Sequence, residues 1–148
     1  MLKKFFSLVL ALSVMLAGSS ASAVFYPQNF NGDRNYILFD GIQGVGRYVY
    51  APSLSVDEYA PPRYVISIDW VSVQDGKVSN SQRVTFGYDW DAKTVSFVRN
   101  SGEWSQINPD GSRAEGSAFV AAAEIAFCLA YHQKFLGTYP ESFYDFMR

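Results

Sequence analysis

The sequence predicts an α+β fold: an antiparallel β-sheet meander covered by one long C-terminal α-helix, with a short terminal helix after it. Three observations predict it. Apolar residues alternate with period two through much of residues 36–107. Turn-forming pairs such as Asp75-Gly76 punctuate that alternation. Residues 117–136 then run without Pro or Gly and are rich in Ala. A sheet with one apolar face needs a cover, and the helix supplies it.

Taken in order, the first element is a leader. Lys3 and Lys4 precede an apolar run, Phe5 to Ala17, and Ala21-Ser22-Ala23 is the small-x-small pattern of a cleavage site. Residues 1–23 therefore read as a signal peptide cut after Ala23, the run of about 13 residues being shorter than the roughly 20 of a membrane span. Leu16-Ala17-Gly18 is one residue short of a lipoprotein signal. Ser19 follows, and a hydroxyl is a far poorer nucleophile than the thiolate that would carry the lipid. The expectation is an exported bacterial protein without a membrane anchor after cleavage, periplasmic or secreted.

The mature chain, residues 24–148, is expected to be a single domain, large enough to bury a core without metals or disulfides. It keeps 10 basic and 14 acidic side chains, a formal charge of −4. Arg47, Arg63, Arg83, Lys93 and Arg99 alternate along the chain with Asp57, Asp69, Asp89 and Asp91, which argues against a nucleic-acid partner. Cys128, the one cysteine, can form no internal disulfide and is expected to be buried.

After a flexible lead-in, Tyr36 to Phe39 reads as a first strand. Gly41 to Gly46 has the order G-x-x-G-x-G and is followed by strand-like Arg47 to Tyr50, so it reads as a hairpin connection and not as a phosphate loop. Pro52, Pro61 and Pro62 make Ala51 to Arg63 a loop, with at most a short extended piece at Ser53 to Val56. Tyr64 to Gln74 is a long strand with Tyr64, Ile66, Ile68 and Trp70 on one face. Arg83 to Trp90, Lys93 to Arg99 and Glu103 to Ile107 complete the hairpins. Ser117 is the expected N-cap of a helix reaching Leu136, with Phe127, Tyr131 and Phe135 as an aromatic ridge and Ala122, Ala126 and Ala130 as a flat one. A last helix is expected from Pro140 to Met147, bringing Phe143 and Phe146 back onto the domain.

Catalytic motifs are few. His132 stands four residues after Cys128, too small a set for a zinc site and too apolar a setting for a nucleophile, so no metal, cofactor or catalytic residue is assigned. Asp89 and Asp91 form a carboxylate pair whose position in a turn explains it. Asn108 to Ser112 lacks the register of a calcium loop. Aromatic content is high: 23 Phe, Tyr and Trp residues in the mature chain. Trp70 and Tyr88 are expected in the core, whereas Trp90 and Trp104 are the candidates for an exposed binding patch.

The segments "YILFD", "SLSVDEY", "PRYVISIDWVSV", "VTFGYDWDAKTVSFV" and "SAFVAAAEIAFCLAYHQKFLG", in that order, resemble the surface-adhesin E type of small exported bacterial proteins. The resemblance covers most of the mature chain. It implies a sheet of about six strands with a helix packed across it, and attachment to host matrix and serum proteins. The lipid-bearing cysteine of a surface-displayed member stands here as Ser19, and the disulfide that can tether the family's helix has no second cysteine. No family motif maps onto specific binding positions. The resulting expectation is a soluble, adhesin-like binding protein of the bacterial envelope with a protein partner. The alternatives are an envelope enzyme using exposed carboxylates such as Asp89 and Asp91, and a structural scaffold that self-associates through a sheet edge.

Overall fold

The computed structural model of this chain describes residues 25–145 and Met147. The leader, its cleavage site and Phe146 lie outside the described residues. Six strands follow in chain order: β1 Tyr36–Ile42, β2 Val45–Ala60, β3 Arg63–Gln74, β4 Lys77–Asp89, β5 Thr94–Val98 and β6 Trp104–Gln106. Each pairs antiparallel with the next, so the sheet is an uninterrupted meander.

Two of its turns are tight for a local reason. Gln43-Gly44 and Asp75-Gly76 each place both loop residues at positive φ, 50° and 80° in the first and 50° and 71° in the second. A two-residue loop of that kind matches the right-handed twist of the strands it joins. The Gly41 to Gly46 stretch is thus a hairpin.

The expected loop at Ala51 to Arg63 is instead most of a 16-residue strand, closed by a two-residue turn at Pro61-Pro62. The prolines are accommodated where the ladder is already broken. Between Tyr50 and Ser55 the β2–β3 register shifts, and Pro52 stands in that gap, where no ladder donor is required of it. Ser53 bridges the gap with its side chain, accepting from the Asp69 N–H at 2.7 Å and donating to the Tyr50 carbonyl at 2.6 Å.

One face of the sheet packs on helix α1, Phe119–Tyr131. Ile37, Val49, Ile66, Ile68, Phe86 and Val95 meet Ala122, Ala126 and Ile125, and the small alanines let the helix lie close to the strands. The expected aromatic ridge forms, with Phe127 5.0 Å from Phe135 and 4.8 Å from Tyr131 between ring centres.

The helix is shorter than expected at both ends. Ser117 is not its cap. The N-cap is Ala118, and the turn before it, a 3-10 turn at Arg113–Glu115, is fixed by the Glu115 carboxylate, which accepts from the Ser112 N–H and hydroxyl. At the other end His132 takes a left-handed conformation, φ 53°. Glu124 explains why the chain leaves the helix there. Its carboxylate is 1% exposed and accepts from the N–H groups of Phe135 (3.0 Å), Leu136 (2.8 Å) and Gly137 (3.1 Å) and from the Tyr144 hydroxyl (2.9 Å). Four donors around a carboxylate outweigh one more helical turn, because a buried charge left unpaired is far more costly. The terminal helix α2 is Glu141–Asp145, and it delivers Tyr144 into the core.

On the opposite face the lead-in is not loose. Phe30, Tyr36 and Leu38 pack on Tyr48, Val71 and Val73. The Tyr48 hydroxyl donates to the Pro27 carbonyl at 2.8 Å, and Tyr26 accepts from the Gly44 N–H at 2.9 Å. Among the described residues no element covers the rest of that face.

Candidate functional site

Strand alternation decides where the two candidate tryptophans fall. Tyr88 faces the helix, and Trp90, two residues on, does the same. Its ring stacks on Phe127 at 5.7 Å and 26°, and the Lys93 ammonium sits 3.1 Å above its centre. Trp90 is half-buried and works as a wall of the core. Trp104, on β6, lies on the uncovered face. It is 52% exposed, and its ring crosses Gly87 so closely that a Cβ there would stand 2.9 Å from it. The two are therefore not one patch. Trp70 and Tyr88 are buried, as expected.

Around Trp104 the uncovered face forms a groove of about 350 Å³ whose lining includes Glu58, Arg63, Val65, Asp89, Thr94 and Ser96. Gly87 is the reason the indole can lie flat there: any larger residue would lift it off the sheet. Asp89 is committed to its turn, accepting from the Ala92 N–H at 2.9 Å, and Asp91 is exposed beside it. Cys128 is 5% exposed in the core, whereas His132 is on the surface. Among the described residues no three His, Cys, Asp or Glu side chains are grouped so as to hold a metal ion.

A second site lies on the helix-bearing face, at the N-terminal end of α1. A cleft of about 500 Å³ is lined there by Arg47, Arg83, Arg99 and Arg113 with Trp70, Phe97 and Phe119, the Arg83 guanidinium being paired with Asp69. No acidic side chain is in the lining. Asp40 stands behind it, 11% exposed, gripping Arg113 through two hydrogen bonds of 2.6 Å and approaching Arg47 at 3.7 Å. Those bonds raise the Arg113 guanidinium further above its ordinary range. Arg99 donates to the Ser105 hydroxyl at 3.0 Å and lies over the Phe97 ring. Arg47 lies over Trp70, and its Nε is buried without a hydrogen-bond partner.

Sequence reasoning missed this cleft because it weighed charges by their order along the chain. Face parity separates them. Asp57 bonds Ser67, Asp69 bonds Arg83, and Asp89 lines the Trp104 groove, all on the uncovered face, while Arg47 and Arg99 project to the helix side. The missing signal was alternation applied to the charges as well as to the apolar residues.

No family model, curated protein or solved structure matches the chain.

Proposed function

We propose that this chain is an exported, soluble binding protein of the bacterial envelope, adhesin-like, acting in the periplasm or outside the cell, and that it holds a protein partner on the uncovered face of its sheet. The observation that carries this reading is Trp104, a tryptophan half-exposed on a short edge strand and held flat over Gly87. A rigid aromatic with little rotamer freedom to lose is the residue type that dominates protein interfaces. Glu58, Arg63 and Asp89 around it supply the polar rim that such a contact needs. The export leader read in residues 1–23 and the resemblance of the strand order to the surface-adhesin E type support the same reading.

The test is capture of envelope and matrix proteins by the immobilised protein and by its Trp104→Ala variant. Saturable capture weakened by about tenfold or more in the variant is expected, with folding stability changed by less than about 1 kcal/mol. Equal capture by the two proteins overturns the assignment of the face. Trp90→Ala is expected to behave differently, losing about 2 kcal/mol of stability because its ring is part of the core.

A further inference from the structure

We propose that the cleft at the N-terminal end of α1 binds a small soluble organic phosphomonoester, its phosphate held by Arg47, Arg99 and Arg113 and its apolar body lying against Trp70, Phe97 and Phe119. This goes beyond protein capture at Trp104, which occupies the other face of the sheet, and it stands or falls separately.

The cleft has the volume of a small-molecule site, about 500 Å³. In a chain with more acids than bases, four arginines line the cleft and no acid does; Arg83 is paired with Asp69 at 2.8 Å, which leaves Arg47, Arg99 and Arg113. Asp40 offsets one of the three positive charges, which leaves an excess of two, the charge of a phosphomonoester above its second pKa. The three guanidiniums come from different elements, β2, the β5–β6 turn and the 3-10 turn, so they approach from separate directions. That suits a tetrahedral group with three terminal oxygens better than a planar carboxylate with two. Desolvation has already been met in part, since Arg47 Nε is buried and carries no partner. The aromatic walls orient the guanidiniums as well as the ligand: Arg47 lies 5.6 Å from the Trp70 ring centre and Arg99 5.8 Å from that of Phe97. Asn100, Ser101 and Gln82 add neutral polar groups at the rim.

The experiment is calorimetric titration of the purified protein with phenyl phosphate, inorganic phosphate and benzoate at low salt. Phenyl phosphate is expected to saturate one site and to bind at least tenfold more tightly than either of the others. Arg99→Gln should weaken it about tenfold or more, and Arg99→Lys should restore part of the loss. Phe97→Leu should weaken phenyl phosphate several-fold more than inorganic phosphate, which loses only the orientation of Arg99. Lys77→Gln, which removes a charge from a distant hairpin, should change nothing.

Absence of saturable binding by the folded protein overturns the proposal. So does an equal loss in Lys77→Gln and Arg99→Gln, which would reduce the effect to net charge. Equal affinities for inorganic and phenyl phosphate overturn the apolar half. Sedimentation with phosphatidic acid vesicles, without binding of phenyl phosphate, would overturn the soluble source in favour of a lipid headgroup. Should Arg99→Gln fail to fold, Arg99→Lys and Phe97→Leu carry the test.

Discussion

Past the C-terminal end of α1 the chain is held by one carboxylate, Glu124 from the middle of the helix, which is almost wholly buried and meets four donors, whereas at the N-terminal end three guanidiniums gather, two of them on a single carboxylate, Asp40, and keep access to water. Both ends pack against the same sheet, so the difference is one of burial and saturation. A buried charge is tolerable only when every lone pair is used, and what results is a fastening: residues 135–137 and α2 are tied to the helix through one side chain. A partly exposed cluster can carry surplus charge at small cost, and the surplus is what a ligand can use. Structure is concentrated at one end and binding capacity at the other.

Glu124→Ala tests the fastening and has the largest expected effect. It strands three backbone N–H groups and the Tyr144 hydroxyl in the interior, so a loss of about 4 kcal/mol is expected from urea unfolding. Because the site is buried, added salt should leave that loss unchanged. A loss below about 1 kcal/mol would mean that the segment is held by its apolar contacts alone.

Asp40→Asn probes the other end and should cost about 1 kcal/mol, since Arg113 is 45% exposed and its ion pair is partly screened. Here salt is the discriminating variable. The loss should shrink as ionic strength rises, because the Debye length falls from about 10 Å at 0.1 M to about 3 Å at 1 M. A salt-independent loss as large as that of Glu124→Ala would erase the distinction between the two ends.

How far the sequence disclosed all this depends on the range of the signal. Alternation in Tyr64 to Gln74 and the Asp75-Gly76 pair are local, and the strand and hairpin they predict are present. The β2 extension was hidden because proline argues locally against a strand, while the register shift and the Ser53–Asp69 bridge that accommodate it exist only once β2 is paired with β3. The early helix end was hidden for a similar reason: Glu124 reads as an interruption of an apolar face, and its partners lie 11 to 13 residues further on, in a segment whose composition is helical. Trp104 was visible as an aromatic in a polar stretch, but Gly87, which makes room for it, is two strands away. Arg47, Arg99 and Arg113 come together only once the sheet has sorted its faces.

The smallest expected effect concerns alkaline pH. Burial, with the Glu124 charge nearby, pushes the Tyr139 phenol up to about 12 and raises Tyr144 still further, and Tyr88 is raised well above its ordinary value by the same causes. In each case the folded state holds its proton more tightly than the unfolded chain. Stability from these groups is therefore complete below about pH 10, where unfolded tyrosine begins to ionise, and is lost as pH climbs towards the folded values. Urea midpoints measured at increasing pH should fall above pH 10, and Tyr139→Phe should make that fall shallower. The flattening will be partial, because burial also raises Tyr48 and Tyr131. Asp40→Asn should leave the slope as it is, since the acid it replaces faces arginines that stay charged throughout this range. An unchanged slope in Tyr139→Phe, or a flattened one in Asp40→Asn, would place the alkaline sensitivity away from Glu124 and break the contrast between the two ends of the helix.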